Sequence, residues 1–324
     1  MKAMKAMNGT LAIRQAVRPW VQSADVRILL GVSGGADSMA LACATLAEAK
    51  ATGPDLVAIV VDHQLQVGSN QVAEKTRDEL IRIGFNVVEI ITIDVEIVDG
   101  MEASARRARY GAFESATRKY HPDYFFLAHT KNDQAESVLL GLARGSGTRS
   151  LSGMAEVNGI YIRPLLGISR ELTELACAEN EVTAWQDPQN FDQNYARVRV
   201  RNQILPIVEA NLGPGIVDAL ARSAKILRED ADALDFLAEQ FLVGGDLGSL
   251  SVSELAALPK AIRIRVLRLA IFAIGAPIGS LTALHLDPIE ALITDWHGQG
   301  EIALPGGVKV ARISGRLSLS QVFA

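Results

Sequence analysis

The first half of the chain carries short, nearly unbroken apolar runs. Residues 26–32, 56–61, 87–93 and 124–128 are dominated by Val, Ile, Leu, Phe and Tyr, which predicts strands buried on both faces. Between them, residues 38–48, 71–83 and 101–119 have helical periodicity and few breakers, which predicts helices. Strands alternating with helices imply an α/β fold with a parallel sheet covered on both sides. Ligands of such folds bind outside the carboxyl ends of the strands. Near residue 211 the pattern changes. Gly213-Pro214-Gly215 breaks the chain, and Ile216, Leu220, Leu227, Leu234, Leu237 and Phe241 then recur at roughly helical spacing on an Ala-rich segment. A second helix is expected over 255–274, with short strands at 308–313 and 317–322. The expected organisation is an α/β domain over 1–210 and a smaller, mainly helical domain with a short β element over 211–324, divided near residues 206–212.

At 324 residues the chain is long enough for two such domains, and 49% hydrophobic against 21% charged residues implies a substantial core. A formal net charge of −5 argues against a broadly basic nucleic-acid coat, but a local arginine cluster can bind RNA on an acidic protein. Cys43 and Cys177 are the only cysteines and form neither a redox pair nor a metal-ligand set. They suit a reducing cytosol. Lysines near the start are followed by no sustained apolar core, so the Met1-Lys2-Ala3-Met4 start reads as a poor secretion signal. No uncharged apolar stretch reaches the ~20 residues that span a bilayer. A cytoplasmic protein without membrane attachment is expected.

The most informative chemistry follows the first strand. Ser33-Gly34-Gly35-Ala36-Asp37-Ser38 lies between Ile28-Leu29-Leu30-Gly31-Val32 and an apolar helical stretch. Glycines let the backbone turn tightly and approach a ligand, and the helix N-terminus offers unpaired N–H groups to an anion. Ser33 and Ser38 add hydroxyl donors. Asp37 would repel phosphate by itself, so its presence suggests Mg²⁺ held between carboxylate and phosphate oxygens. No lysine follows the glycines as it would in a kinase-type loop. An ordinary capped turn would also use Gly-Gly and Ser or Asp; the whole run directly after a buried strand favours phosphate binding.

After the fourth strand comes His129-Thr130-Lys131-Asn132-Asp133-Gln134-Ala135-Glu136. Asp133 and Glu136 are three apart and share a face on a starting helix, where they could hold Mg²⁺ or an amine. Acids near a helix N-terminus are also favoured by its dipole alone. Asp62-His63 likewise follows a strand, placing His63 and His129 at the ligand edge beside the loop. Arg197, Arg199 and Arg201 alternate, so an extended segment would put all three on one side, favouring contact with RNA phosphate or substrate. Lys260, Arg263, Arg265 and Arg268 form a second cluster with no acid between them; such a run is usually a solvated face, with RNA contact as the alternative.

The loop resembles the signature of the N-type ATP pyrophosphatases, or PP-loop enzymes. Further runs resemble tRNA(Ile)-lysidine synthetases in order along the chain: Glu102-Ala103-Ser104-Ala105-Arg106-Arg107-Ala108-Arg109-Tyr110, the His129–Glu136 run, Arg144-Gly145-Ser146-Gly147, Arg163-Pro164-Leu165-Leu166, Trp185-Gln186-Asp187-Pro188, and Tyr195-Ala196-Arg197 through Arg201. The resemblance covers roughly residues 26–206. It implies that the loop grips the pyrophosphate end of ATP, that the wobble cytidine of a tRNA(Ile) with a CAU anticodon is adenylated, and that L-lysine then displaces AMP. It further implies that Asp133 and Glu136 recognise lysine and position the cytidine, and that Arg109 and Arg201 stabilise the transition state and the leaving group. His63, His129, Arg197 and Arg199 are the remaining expected substrate or tRNA contacts, and a homodimer is compatible with this reading. Gln66 and Val198 depart from the family's pattern, where a basic residue and Asn are common. The chain looks like a two-domain form. A PP-loop thiolase would need sulfur-handling cysteines, and a non-catalytic nucleotide-binding module would lack Asp37, Asp133 and Glu136.

Overall fold

The computed structural model describes residues 8–322 apart from Val67, Asp99 and Ser146. The Met1–Lys5 start and Ser146 of the Arg-Gly-Ser-Gly run therefore lie outside the described residues. Contacts divide the chain into two compact units, one ending at Ile226 and the other starting at Leu227.

The first unit runs α1 (Gly9–Gln22), β1 (Arg27–Gly31), α2 (Ala36–Thr52), β2 (Asp55–Asp62), α3 (Ser69–Ile83), β3 (Val87–Thr92), α4 (Met101–Tyr120), β4 (Tyr124–Leu127) and α5 (Lys131–Ala143). It continues with α6 (Thr148–Leu151), β5 (Val157–Asn158), β6 (Tyr161–Ile162), α7 (Arg170–Glu179), α8 (Ala196–Arg199), α9 (Leu205–Leu212) and the start of α10 (Ile216–Leu242). The sheet order is β3-β2-β1-β4-β6-β5, parallel except for the edge strand β5.

Alternation along each strand explains the unbroken apolar runs. Ile28, Leu30, Val60, Phe126 and Ile162 enter the core on one face, while Leu29, Val57, Ile59, Phe125 and Leu127 enter the core on the other. The first face is covered by α1, α2, α3 and α7 through Ile13, Val17, Met39, Leu41, Leu80 and Ala176, and the second by Phe113 and Ala116 of α4. Each fully buried Leu, Ile or Phe contributes about 1.5–3 kcal/mol. The expected doubly covered parallel sheet is thus present, with each of its first four strands within a residue or so of its expected bounds. Helix α1 positions Ile13, Val17 and Val21 on one buried stripe, and Asn8 caps it by accepting from Leu11 N at 2.7 Å.

The order of strands fixes where ligands can sit. From β1 the chain moves outward to β2 and β3, then returns to place β4 on the other side of β1. The loops leaving β1 and β4 diverge over this switch point, which opens a crevice at the carboxyl edge.

The second unit contains the remainder of α10, then β7 (Ser249–Ser251), α11 (Val252–Ala257), α12 (Lys260–Ile274), α13 (Ala283–Thr294), β8 (Ile302–Ala303), β9 (Val308–Ile313) and β10 (Arg316–Gln321). Its antiparallel sheet has the order β7-β10-β9-β8. Leu255, Val266, Leu267, Ile271, Ile289, Leu292, Val308 and Leu317 form its core. The single helix expected over 255–274 is two, because Pro259 cannot continue α11 and instead starts α12.

Candidate active site

The loop after β1 is built by close approach. Gly34 has φ +83°, and a Cβ there would lie 2.4 Å from Thr76 Oγ1 on α3, so only glycine fits. Trp185 N donates to Gly34 O at 2.8 Å, tying the Trp-Gln-Asp-Pro run to the loop. Ser38 Oγ accepts from Ser33 N at 3.2 Å, donates to Gly35 O at 2.9 Å and lies 3.3 Å from Ser33 Oγ. The two hydroxyls therefore brace the loop. Gly35 caps α2 without a side-chain bond, leaving the first-turn amides of Ala36, Asp37 and Ser38 to face an anion at the positive end of the helix.

Across the switch point, Thr130 N and Oγ1 donate to Asp133 Oδ2 at 2.7 and 2.9 Å, closing a capping box at the start of α5. This holds Asp133 so that Oδ1 faces three guanidinium groups, Arg170 at 3.3 Å, Arg197 at 3.4 Å and Arg201 at 3.6 Å. Glu136 is completely buried. Arg197 Nε reaches its Oε2 at 2.7 Å, Arg201 Nε its Oε1 at 2.7 Å and Arg201 Nη2 its Oε2 at 3.1 Å. Arg170 Nη1 stands 3.5 Å from Glu136 Oε1, while its Nε lies 3.4 Å from Asp37 Oδ2. Thr173 Oγ1 donates to Asp37 Oδ1. The expected pairing of Asp133 with Glu136 on one face is realised. Three carboxylates and three guanidinium groups from the β1 loop, α5, α7 and the 196–204 segment form one charge-assisted network.

The electrostatics follow from burial. Burial pushes the Asp37 carboxyl up, outweighing the neighbouring Arg170 and the Thr173 bond. Burial opposes ionisation of Asp133 too, but Arg197, Arg170 and the Thr130 amide outweigh it and hold this carboxyl below the usual range. Arg170 loses solvation, yet Asp133, Asp37 and Glu136 hold its proton more tightly than usual. His63, following β2, is held down to about 4 by burial and by the charge of Arg109. His129 is held down to about 3, chiefly by burial, with Arg163, Arg197 and Arg106 adding to the effect and Asp133 opposing it. Each has a buried Nδ1 with no hydrogen-bond partner, so both line the carboxyl edge as neutral imidazoles. Arg109, half-buried on α4, stands by His63. Arg106 is exposed and stacks over Tyr110 at 5.0 Å. The side chain of Glu102 lies outside what is described.

One arrangement differs from expectation. The 196–201 segment is helical, with α8 continuing into a π-helical turn over Val200–Ile204. Residues four apart then share a face, so Arg197 and Arg201 meet at Glu136. Arg199 instead points to Gln193 O and Asn194 O, at 2.6 and 2.9 Å, and is not part of the network. Of the two departures from the family's pattern, Gln66 Nε2 donates to Asp187 Oδ1 at 3.2 Å, and Val198 is buried on the inner side of α8.

Sequence reading missed Arg170 and Thr173. Both lie on the first turns of α7, just beyond the Arg163-Pro164-Leu165-Leu166 run and strand β6. A polar pair opening a helix after a strand at the ligand edge was the available signal. Among the described residues no group of three or more His, Cys, Asp or Glu is placed to hold a metal. Asp37 alone still fits Mg²⁺, which is commonly held by one or two carboxylates together with substrate phosphates. Its side chain retains 22% exposure beside the open amides of α2.

Fold and loop together define a PP-loop enzyme, and the family described as "PP-loop domain" matches residues 8–208. The "TilS substrate binding domain" matches residues 250–318. The tRNA(Ile)-lysidine synthase of Streptomyces coelicolor is 46% identical over 299 residues, covering 91% of this chain and 85% of the relative. That of Leifsonia xyli subsp. xyli is 46% identical over 308 residues, covering 93% and 92%. The chain belongs to the tRNA(Ile)-lysidine synthase family. Among solved structures, the U34-tRNA thiolase NcsA of Methanococcus maripaludis superposes with a TM-score of 0.59 at 18% identity, covering 68% of this chain and 78% of that one, a likeness of fold.

Proposed function

We propose that this chain uses ATP to join L-lysine to the wobble cytidine of the CAU anticodon of tRNA(Ile), changing its decoding from AUG to AUA. The reading rests above all on the carboxylate–guanidinium network lying beside the Ser33–Ser38 loop at the sheet's switch point. The cytidine carbonyl oxygen attacks the α-phosphate of ATP and pyrophosphate leaves; the lysine amine then attacks the activated ring and AMP leaves. The α2 amides receive the pyrophosphate end. Asp37 would hold Mg²⁺, which supplies charge neutralisation of the phosphates. Asp133 and Glu136 recognise the lysine ammonium, and Arg109 and Arg201 face the charge that develops on phosphate and leaving group. A phosphate competes with the carboxylates for the guanidinium forks, and an ammonium competes with the guanidinium groups for the carboxylates, so substrates enter by exchanging partners within the network. His63, His129 and Arg197 contribute neutral and charged edges for the nucleotide. In this reading residues 1–210 carry the chemistry, residues 211–324 grip tRNA, and the protein acts in the cytoplasm.

A sulfur-transfer reaction on the same scaffold is disfavoured by the thiols. Burial pushes Cys43 up to about 11 and Cys177 up to about 12, and the Cys177 thiol donates to Ala36 O, so neither supplies a ready thiolate. The test is mass analysis of purified tRNA(Ile) after incubation with enzyme, ATP and lysine. Addition of one lysine with loss of one water, together with AMP and pyrophosphate, is expected. Unmodified tRNA, or ADP as the nucleotide product, would overturn the reading.

A further inference from the structure

Helix α7 touches the first turn of α2 from one face. Arg170, Thr173 and Cys177 recur at helical spacing, and they reach Asp37 Oδ2, Asp37 Oδ1 and Ala36 O respectively. Thr173 is completely buried, so its hydroxyl has no water to turn to. That hydroxyl carries one hydrogen and faces two acceptors, Asp37 Oδ1 and, at 2.7 Å, Arg170 O. It can serve only one at a time, and the ionised carboxylate is the stronger acceptor. Arg170 meanwhile divides its guanidinium among Asp37, Asp133 and Glu136 at 3.3–3.5 Å. The Arg170 contact thus leaves Asp37 latitude, while the short Thr173 bond fixes one oxygen and so the plane of the carboxylate.

We infer that Thr173 is a positioning residue for adenylation: its hydroxyl aims the Asp37 carboxylate at the phosphate-binding loop. This rests on the reading of Asp37 as part of the ATP site. Thr173→Val keeps the shape and removes the hydroxyl; Thr173→Ala removes it without the extra methyl, in case the valine variant fails to fold; Thr173→Ser keeps it. Misaiming a group beside the reacting phosphate is expected to slow pyrophosphate release roughly ten- to hundredfold in the two hydroxyl-free variants, with tRNA filter binding within about twofold of wild type. Calorimetric titration of ATP at stepped Mg²⁺ concentrations should show a several-fold higher Mg²⁺ requirement in those variants. Thr173→Ser should restore both readouts. Wild-type rates and Mg²⁺ requirement in both hydroxyl-free variants, or a serine variant as impaired as they are, would overturn the inference. Absence of tRNA-dependent pyrophosphate release in wild type would instead overturn the parent reading, and this one with it.

Discussion

Each unit of the molecule buries a glutamate against arginine, and the two arrangements differ in completeness. In the second unit Arg263 and Glu290 are both 7% exposed. Arg263 Nε lies 3.1 and 3.0 Å from the two carboxylate oxygens, Nη2 also meets Oε1, and Nη1 donates to Leu258 O at 2.8 Å with Leu255 O and Ala256 O nearby. One cation meets one anion and the spare donor finds carbonyls. In the first unit, Glu136 is just as buried, but Arg170, Arg197 and Arg201 keep 19–27% side-chain exposure and are shared among three acids, several at 3.3–3.6 Å. A closed pair leaves both of its charges satisfied and neither free to meet a ligand, whereas a shared, half-open network has partners to exchange. Because Arg263 is buried in this pair, the basic run of α12 is no continuous solvated face: Lys260 and Arg268 are exposed and Arg265 pairs with Asp235 at 2.7 Å.

The largest expected effect tests the closed pair. Glu290→Leu strands a buried guanidinium and should cost about 3–5 kcal/mol, whereas the double variant Arg263→Leu, Glu290→Leu should return to near wild type. Urea titrations measure both. A single variant as stable as wild type would show that this pair is not the closed structural element described.

Next in size is Asp37→Ala. Removing the charge beside the phosphates should forfeit about 3 kcal/mol of transition-state stabilisation, slowing pyrophosphate release at least about a hundredfold while the fold persists. Near-normal release by a folded variant would remove Asp37 from the site.

The two regions were also unequally legible. Near-continuous runs such as 56–61 announce strands because both faces of the sheet are covered, and Ser33–Ser38 announces its loop because the motif is local. Asp133 and Glu136 were legible for the same reason, lying on one turn of one helix. Arg170 and Thr173 were not, because they reach Asp37 only through packing of α7 on α2, across 133 and 136 residues of sequence. Alternation puts Arg199 beside Arg197 and Arg201 only in an extended segment, and Tyr195 instead leads into a helix. In the second unit Arg263 read as surface charge because its partner, Glu290, comes from a different helix 27 residues away.

A smaller effect comes from the buried imidazoles. An unfolded histidine protonates near 6.5, while folded His63 and His129 resist until about 4 and about 3. The unfolded state therefore binds more protons as pH falls, and stability should drop from pH 6.5 toward 4. Asp37, raised by burial, acts in the opposite sense, so the diagnostic quantity is the difference between wild type and His129→Asn. The variant's urea midpoint should fall less between pH 7.5 and 5; parallel midpoints would mean that His129 is not buried neutral.

The shared network is tested most directly by Glu136→Gln, which keeps the shape, removes one charge from the centre of it and replaces one of the two oxygens that accept from Arg197 and Arg201 by a donor amide. A lysine-concentration series of tRNA modification, run beside a filter-binding titration of tRNA, reads the two roles separately. If Glu136 receives the lysine ammonium, the lysine concentration for half-maximal rate rises sharply while tRNA affinity and its salt dependence stay near wild type. An unchanged lysine requirement with lost tRNA binding would assign Glu136 to the RNA site and contradict the pocket drawn here.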